Sequence, residues 1–171
     1  MESYVLGFDP VSLAERFDVE AARRRLDELA DERSLAALVE KIGLLRVTGQ
    51  AEQAHEVATE ALRQARLVGD REPIARVKVA RGQLLRAEGK HEQAVHELSD
   101  TIAEAAANGW TGIVAEARRQ RALVRVALGE YEAARDDLSE ALAVLVKNQG
   151  DPREIDVTMV AVGALLDRVD G

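Results

Sequence analysis

The sequence predicts an all-α fold, a short α-solenoid of helical hairpins, from its composition, its glycine spacing and an internal repeat. The chain has 171 residues, of which 47% are hydrophobic and 3% aromatic. Ala, Leu, Glu and Arg dominate, and this mixture is typical of helical bundles and solenoids. Six glycines recur at nearly even intervals from Gly49 to Gly150, and a longer pattern recurs at twice that interval. Paired helices of similar length account for both periods, so we expect no β-strand.

Glycine marks the predicted helix ends, because it is the residue favoured where the backbone turns left-handed after a helix. The six glycines are Gly49, Gly69, Gly89, Gly109, Gly129 and Gly150, and only the last interval is one position longer than the others. The segments between them predict helices of about 16–18 residues, each about 25 Å long at 1.5 Å per residue. The predicted spans are 34–48, 51–68, 72–88, 91–107, 112–128, 131–148 and 152–168.

The sequence repeats after two glycine intervals, a distance that we call the 40-residue period. A shift by this period aligns three copies of one helix. Since each period contains two predicted helices, the helices are predicted to form pairs. Each copy has a glycine and, five positions later, an alanine. The glycines are Gly49, Gly89 and Gly129, and the alanines are Ala54, Ala94 and Ala134. Small alanines let two helices approach closely, and Leu98 and Leu138 lie on the same helical face four positions later. We therefore assign three helical hairpins, at 34–71, 72–111 and 112–151.

The two ends of the chain are predicted to depart from the repeat. Residues 1–33 are assigned to an N-terminal capping region, a degenerate half-repeat in which 18–31 form a helix of the second type, capped by Asp18. A short turn over residues 9–16 would stand in for its missing partner helix. Residues 152–171 are assigned to a solitary C-terminal helix. Solenoids need such atypical end elements to shield their last repeats.

The repeated segment resembles the tetratricopeptide repeat, whose second helix starts with the pattern Gly-x-Tyr-x-x-Ala. Gly129, Tyr131 and Ala134 match this pattern, and the other two copies keep its glycine and alanine. The resemblance covers about residues 34–168. The 40-residue period, instead of the usual ~34, is similar to long-helix members such as spindle-orientation adaptors, kinesin light chains and bacterial peptide-pheromone receptors. The resemblance implies a right-handed α-solenoid that binds proteins or peptides in a concave groove.

Composition and motifs argue against several classes of function. The net charge of −8 disfavours nonspecific nucleic-acid binding, which needs an excess of cations. The chain has no cysteine, its histidines lack the spacing of a zinc site, and no enzyme motif is present. No apolar run approaches the ~18 residues that span a membrane, and the first residues lack a secretory signal. We expect a cytoplasmic protein that is not an enzyme and has no cofactor or metal. The excess of Arg over Lys indicates a GC-rich, bacterial genome.

Charged residues of both signs recur with the 40-residue period. The basic column, on the first helices, is Lys41, Arg81 and Arg121. The acidic columns, on the second helices, are Glu60, Asp100 and Glu140, and Glu52, Glu92 and Glu132. Either the cations bind an acidic partner, or the two signs form ion pairs between helices. We favour the ion pairs, because the two signs recur in phase.

The resemblance places ligand contacts on the first helix of each hairpin, which lines the groove in this family. Transferred through the glycine register, these positions include four arginines and one acidic residue, Glu116. The predicted peptide-binding groove consists of Val39, Gly43, Arg46, Arg76, Val79, Gln83, Arg86, Arg119 and Leu123. Guanidinium groups bind carboxylates bidentately, so we expect a protein-interaction scaffold or adaptor that binds an extended or acidic peptide. The alternative is a sensory or regulatory module that binds a small ligand or signalling peptide.

The C-terminal helix is predicted to mediate self-association. Residues 157–166 contain no charge, so this helix is apolar nearly all round instead of amphipathic. The residues expected to pack on the preceding hairpin are Val157, Val160, Ala161 and Ala164. The residues left for an uncovered stripe, which monomers rarely leave open, are Met159, Val162, Gly163 and Leu166. One interpretation is a homodimer in which each C-terminal helix covers the other, and the second is a helix that tilts to bury both stripes.

Overall fold

The structure is a computed structural model that describes residues 4–9 and 15–169, apart from the side chains of Val5, Phe8, Asp167 and Val169. Within these residues it contains eight α-helices and one antiparallel pair of short strands. The predicted all-α class is therefore confirmed for the main part of the chain. The elements are β1 Val5–Phe8, β2 Glu15–Phe17, α1 Val19–Glu28, α2 Leu35–Val47, α3 Ala51–Val68, α4 Arg71–Ala87, α5 His91–Ala107, α6 Thr111–Leu128, α7 Tyr131–Lys147 and α8 Pro152–Val169.

The helices begin and end close to the predicted residues. The bounds of α2 to α8 agree with the seven predicted spans to within one residue at each end. Asp18 caps α1 as predicted, since its Oδ1 accepts a hydrogen bond from the backbone N–H of Ala21 at 2.9 Å, but α1 ends at Glu28, earlier than expected. A side chain also caps α2, where Ser34 accepts from the N–H of Ala37 at 3.3 Å. The glycine spacing therefore predicts the helix ends well.

The end of α7 departs from the glycine pattern. Gln149 lies one 40-residue period after Gly109. It is Gln149 that adopts the left-handed backbone conformation after α7, at φ 53°. Gly150 does not adopt a positive φ, and a Cβ on it would lie 3.0 Å from Leu145 Cδ2. The prediction that Gly150 takes the left-handed position is therefore wrong, and the longer last interval reflects a glycine displaced by one position.

The predicted register of the repeat is confirmed by burial. Each helix packs on the next one in sequence, and the first helices α2, α4 and α6 also contact one another in order. The three alanines of the repeat are fully buried at 0% exposure, as is Leu98, and Leu138 is 1% exposed. A Cβ on Gly82 of α4 would lie 2.8 Å from Leu98 of α5. The small residues therefore stand where two helices approach most closely.

The expectation of no strand is wrong at the N-terminus. Strands β1 and β2 pair antiparallel with Val5 opposite Phe17, and the register is irregular between Val5 and Gly7. Of the turn predicted over residues 9–16, residues 15 and 16 belong to β2, and residues 10–14 lie outside the described residues. Aromatic and β-branched residues favour a half-buried strand. Val5, Phe8 and Phe17 are residues of this kind, and their segment lies outside the helical repeat.

The C-terminal helix α8 packs on α7 through a face that differs from the predicted one. Thr158, Ala161 and Leu165 are fully buried on this face. Ala161 and Ala164 are thus placed as predicted, since both pack in this core, whereas Val160 is 53% exposed and Val162 packs against the core instead of solvent. At 100° per residue, a face centred on positions 158, 161 and 165 turns position 160 outward, and the predicted face was rotated from this one.

Candidate binding site

The pair of strands lies on the face that the first helices share. The Tyr4 hydroxyl is 2.9 Å from the position that a Cβ on Gly43 of α2 would occupy. Strand β2 reaches α4 through an ion pair between Glu15 and Arg86, and β1 also contacts α8. The strand pair therefore touches helices from both ends of the chain. Gly43 leaves the space that the tyrosine fills, which explains why a residue without a side chain stands there.

Glu15 makes the main polar contacts between the strand pair and the helices. Its Oε2 accepts a hydrogen bond from Arg86 Nη2 and lies 3.7 Å from Arg46 Nη1. The side chains of Glu15 and Arg46 are each only 9% exposed. One carboxylate thus lies between two mostly buried guanidinium groups that are one period of the repeat apart in the sequence.

Phe17 completes this arrangement, which we call the carboxylate site and define by Glu15, Phe17, Arg46 and Arg86. The guanidinium carbon of Arg46 is 5.0 Å from the centre of the Phe17 ring, a cation–π contact. Side chains alternate along a strand, so Glu15 and Phe17 both turn toward the helices while Arg16 between them is exposed. The site thus holds a carboxylate and, two positions later, an aromatic ring.

The two arginines of the carboxylate site retain hydrogen-bond donors that Glu15 does not use. The Nε groups of Arg46 and Arg86 are buried and donate to no described protein group. Burial lowers the pKa of Arg46 from its ordinary value, an effect that Glu15 opposes and Arg86 reinforces. An unpaired buried polar group costs about 1–3 kcal/mol, so an acceptor oxygen placed against either Nε group would be stabilising.

A pocket of about 260 Å³ lies one helical turn from the carboxylate site, between α2, α4, α6 and Tyr4. It is lined by Tyr4, Val39, Glu40, Gly43, Arg76, Val79, Ala80, Gln83, Gly112, Ile113 and Glu116. Its carboxylates are already hydrogen-bonded, Glu40 by Arg25 at 2.7 Å and Glu116 by Gln83 at 3.1 Å. The volume is below the roughly 300–1,000 Å³ of small-molecule pockets, so it suits one or two peptide side chains better than a small ligand.

Most of the predicted groove residues lie in these two places. The pocket contains Val39, Gly43, Arg76, Val79 and Gln83, and the carboxylate site contains Arg46 and Arg86. Leu123 instead belongs to the core at 6% exposure. Arg119 is only 13% exposed and lies 3.4 Å from Glu116 and 3.6 Å from Glu154 of α8.

The four predicted groove arginines all have a carboxylate of this chain within ion-pair distance. Arg46 and Arg86 share Glu15, Arg119 lies near Glu116, and Arg76 pairs with Glu72 at 2.7 Å. The expected excess of positive charge in the groove is therefore compensated inside the chain. These internal carboxylates would compete with any external ligand for the four arginines.

Two of the three residues of the basic column form ion pairs between helices, the arrangement that we favoured from the sequence. Arg81 of α4 pairs with Glu97 of α5 at 2.7 Å, and Arg121 of α6 pairs with Asp137 of α7 at 2.5 Å. Both pairs join residues that are 16 positions apart. Lys41 has no acid at the matching position and donates instead to backbone oxygens, of which Glu32 O is 2.7 Å away.

The acids of these pairs are not the predicted ones. Of the first acidic column, Glu60 and Asp100 pair within their own helices with Arg63 and His96, and only Glu140 reaches another helix, through Arg118. The second column, Glu52, Glu92 and Glu132, is exposed. The acidic columns were wrongly predicted as partners of the basic column. Two columns that recur with the same period need not lie on helix faces that contact each other.

Asp137 is the most strongly paired carboxylate among the described residues. It is 2% exposed and accepts hydrogen bonds from Arg118 at 3.2 Å, from Arg121 and from Arg125 at 2.8 Å. Three guanidinium groups around one buried carboxylate fasten α7 to α6. This cluster supports the fold and lies apart from the carboxylate site.

Sequence reasoning missed three residues of the N-terminal segment, namely Tyr4, which precedes β1, and Glu15 and Phe17 of β2. A signal for them exists. The chain has two Phe and two Tyr, and three of these four aromatic residues fall within the first 17 positions. Clustered aromatic residues in an otherwise aromatic-poor chain indicate an apolar contact surface, and Glu15 could be found only with the structure.

The outer face of α8 carries the predicted exposed stripe, with Val160 in the place of Val162. Met159 and Val160 are each 53% exposed, and Leu166 is 43% exposed. A Cβ on Gly163 would meet nothing within 4 Å. In the second and third hairpins the residues aligned with Val160 are covered, since Ala80 is 7% and Gln120 is 3% exposed.

A scan against protein-family models and a search of curated proteins found no match for this chain. Among the residues that the structure describes, no three His, Asp or Glu side chains lie together so as to hold a metal ion. No helix in the described ranges is both long and apolar enough to cross a membrane.

Proposed function

We propose that this protein is a cytoplasmic protein-interaction scaffold or adaptor, not an enzyme. In this proposal the helical hairpins form a right-handed α-solenoid of the tetratricopeptide type. The first helices α2, α4 and α6 line its groove and bind an extended segment of a partner that presents acidic side chains.

The contact of Glu15 with Arg46 and Arg86 is the observation on which this proposal rests. An extended strand that carries a carboxylate already lies on the proposed binding face, and both arginines turn toward it. Arginine is well suited to this task because its planar guanidinium group offers several donors and stays charged when buried. The pocket one helical turn away supports the proposal further, since it offers space for side chains of the same segment.

The proposal is tested with a library of short random peptides selected for binding to the wild-type protein. We expect the selected peptides to be rich in Asp and Glu and to lose binding when Arg46→Glu and Arg86→Glu are combined. Binding should also weaken from about 0.1 M to about 1 M salt, where the Debye length falls from about 10 Å to about 3 Å.

A matched control keeps this test independent of net charge and folding. Arg63→Glu with Arg66→Glu makes the same charge change on exposed residues of α3 and should leave binding intact. Because charge reversal of mostly buried arginines can unfold a protein, the Arg46→Gln and Arg86→Gln variant is measured beside it. Selected peptides that bind a folded groove variant as tightly as the wild type would contradict the proposal.

We also propose that the protein forms a homodimer through the outer face of α8. Met159, Val160 and Leu166 are exposed apolar side chains on α8, whereas the residues aligned with Val160 in the second and third hairpins are buried. A second copy of α8 supplies an apolar surface of the same kind about a two-fold axis. Gly163, which has open space above it, permits close approach of the two helices.

Light scattering after size-exclusion chromatography tests the dimer. The wild type should have twice the monomer mass at micromolar concentration, and Met159→Glu with Leu166→Glu should reduce it to the monomer. Leu67→Glu with Val68→Glu is the control, because these residues are even more exposed, at 79% and 70%, but lie on α3. A wild-type monomer, or a dimer that survives the α8 substitutions, would contradict this interface.

A further inference from the structure

We propose that the strand pair is an internal copy of the partner's binding segment, so that the carboxylate site recognises a carboxylate followed two positions later by an aromatic ring. This inference rests on the proposed function and adds the partner's chemistry and its competition with the chain's own strand. Glu15 and Phe17 are the internal examples of these two groups.

The geometry of β2 sets the recognised motif. Residues two apart on a strand turn to the same side, and in β2 this side faces Arg46 and Arg86 while Arg16 faces solvent. The carboxylate lies between the two guanidinium groups, and the ring covers one of them at 5.0 Å. A partner segment with an acidic residue, any residue and an aromatic residue reproduces all of these contacts in extended form.

The internal strand binds in a way that a partner can displace. The Nε groups of Arg46 and Arg86 are buried and donate to no described group, so a partner with a second acidic side chain gains hydrogen bonds that Glu15 does not make. Two paired strands are also marginally stable by themselves, and the register of this pair is broken between Val5 and Gly7. The strand pair therefore depends on its contacts with the helices to hold its place.

Covalent linkage favours the internal strand over an external peptide in the competition for the carboxylate site. A tethered segment acts at a high effective concentration, of the order of millimolar. The apparent affinity of an external ligand equals its intrinsic affinity multiplied by the fraction of molecules whose site is open. Loosening the strand without altering the arginines should therefore increase the affinity for an external peptide.

The probe is a fluorescein-labelled peptide with the sequence of residues 4–17, titrated against full-length protein by fluorescence anisotropy. Glu15→Gln and Phe17→Ala each weaken the internal strand and leave Arg46 and Arg86 unchanged. If the site is closed at least about nine-tenths of the time, either variant should bind the probe about tenfold more tightly than the wild type. Arg16→Gln is the matched control, because its exposed side chain lies between the two, and it should bind like the wild type.

The probe is also changed in the same way, which tests the motif. A peptide with glutamine in the place of its glutamate, or alanine in the place of its second phenylalanine, should lose most of its affinity for the Glu15→Gln protein. Amide hydrogen exchange gives a second readout, since Glu15→Gln should accelerate exchange at residues 5–8 and leave the helices protected.

The outcomes separate this inference from the proposed function. Equal probe affinity of the wild type and both strand variants would overturn the competition. A folded Glu15→Gln protein that ignores the probe but binds acidic peptides from the library would overturn the carboxylate–aromatic motif and leave the proposed function standing. Loss of both kinds of binding would overturn both proposals.

Discussion

Two sets of arginines on the first helices recur with the 40-residue period, yet they meet their partners in different ways. Arg81 and Arg121 each pair with an acid that lies 16 positions later in the same helical hairpin. Arg46 and Arg86 share one acid, Glu15, which is 71 positions from Arg86 and belongs to a segment outside the repeat.

This difference separates contacts that maintain the fold from contacts that are available for binding. A pair that recurs at the same separation in the second and third hairpins fastens the two helices of each of these hairpins. A pair that depends on a single non-repeating strand can be exchanged for another strand without disturbing the helices. The repeated arginines are therefore expected to control stability, and those of the carboxylate site to control affinity.

Removing the shared carboxylate of the repeated set should have the largest effect on stability. Asp137→Ala leaves three arginines without their buried partner, and breaking a buried ion pair in this way costs about 3–5 kcal/mol. Denaturant unfolding measures the loss. Asp136→Ala is the control, because that carboxylate is 64% exposed and pairs only with its neighbour Arg135, so its unfolding curve should shift little.

Overfilling the repeated interface should have the next largest effect. Ala94 is fully buried between α4 and α5, and Ala94→Leu should overpack this contact at a cost of about 1–3 kcal/mol. The same substitution at Ala103, an exposed residue of the same helix, provides the reference. Similar melting temperatures of the two variants would show that the register of the repeat is wrong.

Restoring the missing glycine of the repeat should stabilise the protein by a smaller amount. Gln149 adopts φ 53°, a left-handed conformation that costs a side-chain-bearing residue about 1 kcal/mol. Gln149→Gly should raise the free energy of unfolding by about this amount. Gln50→Gly, at a position with φ −99°, should not stabilise, and the two variants are compared in the same denaturant titration.

An ion pair between α4 and α5 that lies outside the repeated set should give the smallest effect and a defined pH dependence. The pKa of Glu104 is lowered, first by a hydrogen bond from Lys78 at 3.0 Å and also by Arg71. A carboxyl group whose pKa is lower in the folded state contributes stability that is fully present above its unfolded pKa of about 4.3 and is lost as pH falls through the lower pKa of the folded state.

Glu104→Gln should therefore be less stable than the wild type at neutral pH, and the two unfolding free energies should converge in acid. Chemical denaturation from neutral pH down to the acidic limit of folding checks this. A difference that stays constant through the titration of the carboxyl group would mean that the ion pair contributes nothing.

The sequence predicts most of the fold because the repeat is built from local rules. Glycines at left-handed positions and alanines at close contacts specify where each helix ends and which face it buries, so α2 to α8 were predicted within one residue. The rule failed where the chain departs from it, at Gln149 and along α8, whose buried face is rotated from the predicted one.

The candidate site could be predicted only in part, for a physical reason. The resemblance implied the groove positions, which were transferred through the glycine register, and seven of the nine predicted groove residues lie at the pocket or the carboxylate site. Their partners are Tyr4, which precedes β1, and Glu15 and Phe17 of β2, all outside the repeat, and no periodicity links residue 15 to residue 86. Pairing across such a separation is decided by tertiary packing.

The division between structural and binding arginines is tested most directly with two arginines of α4 that are five positions apart. Arg81→Gln and Arg86→Gln are each made together with Glu15→Gln, and both unfolding free energy and affinity for the residue 4–17 peptide are measured. We expect Arg81→Gln to reduce stability and leave the affinity of the folded protein unchanged. We expect Arg86→Gln to reduce the affinity at least about tenfold, as loss of a charge-assisted hydrogen bond implies, with a smaller loss of stability. The reverse assignment, or equal effects of both changes on affinity, would contradict the division between structural and binding arginines.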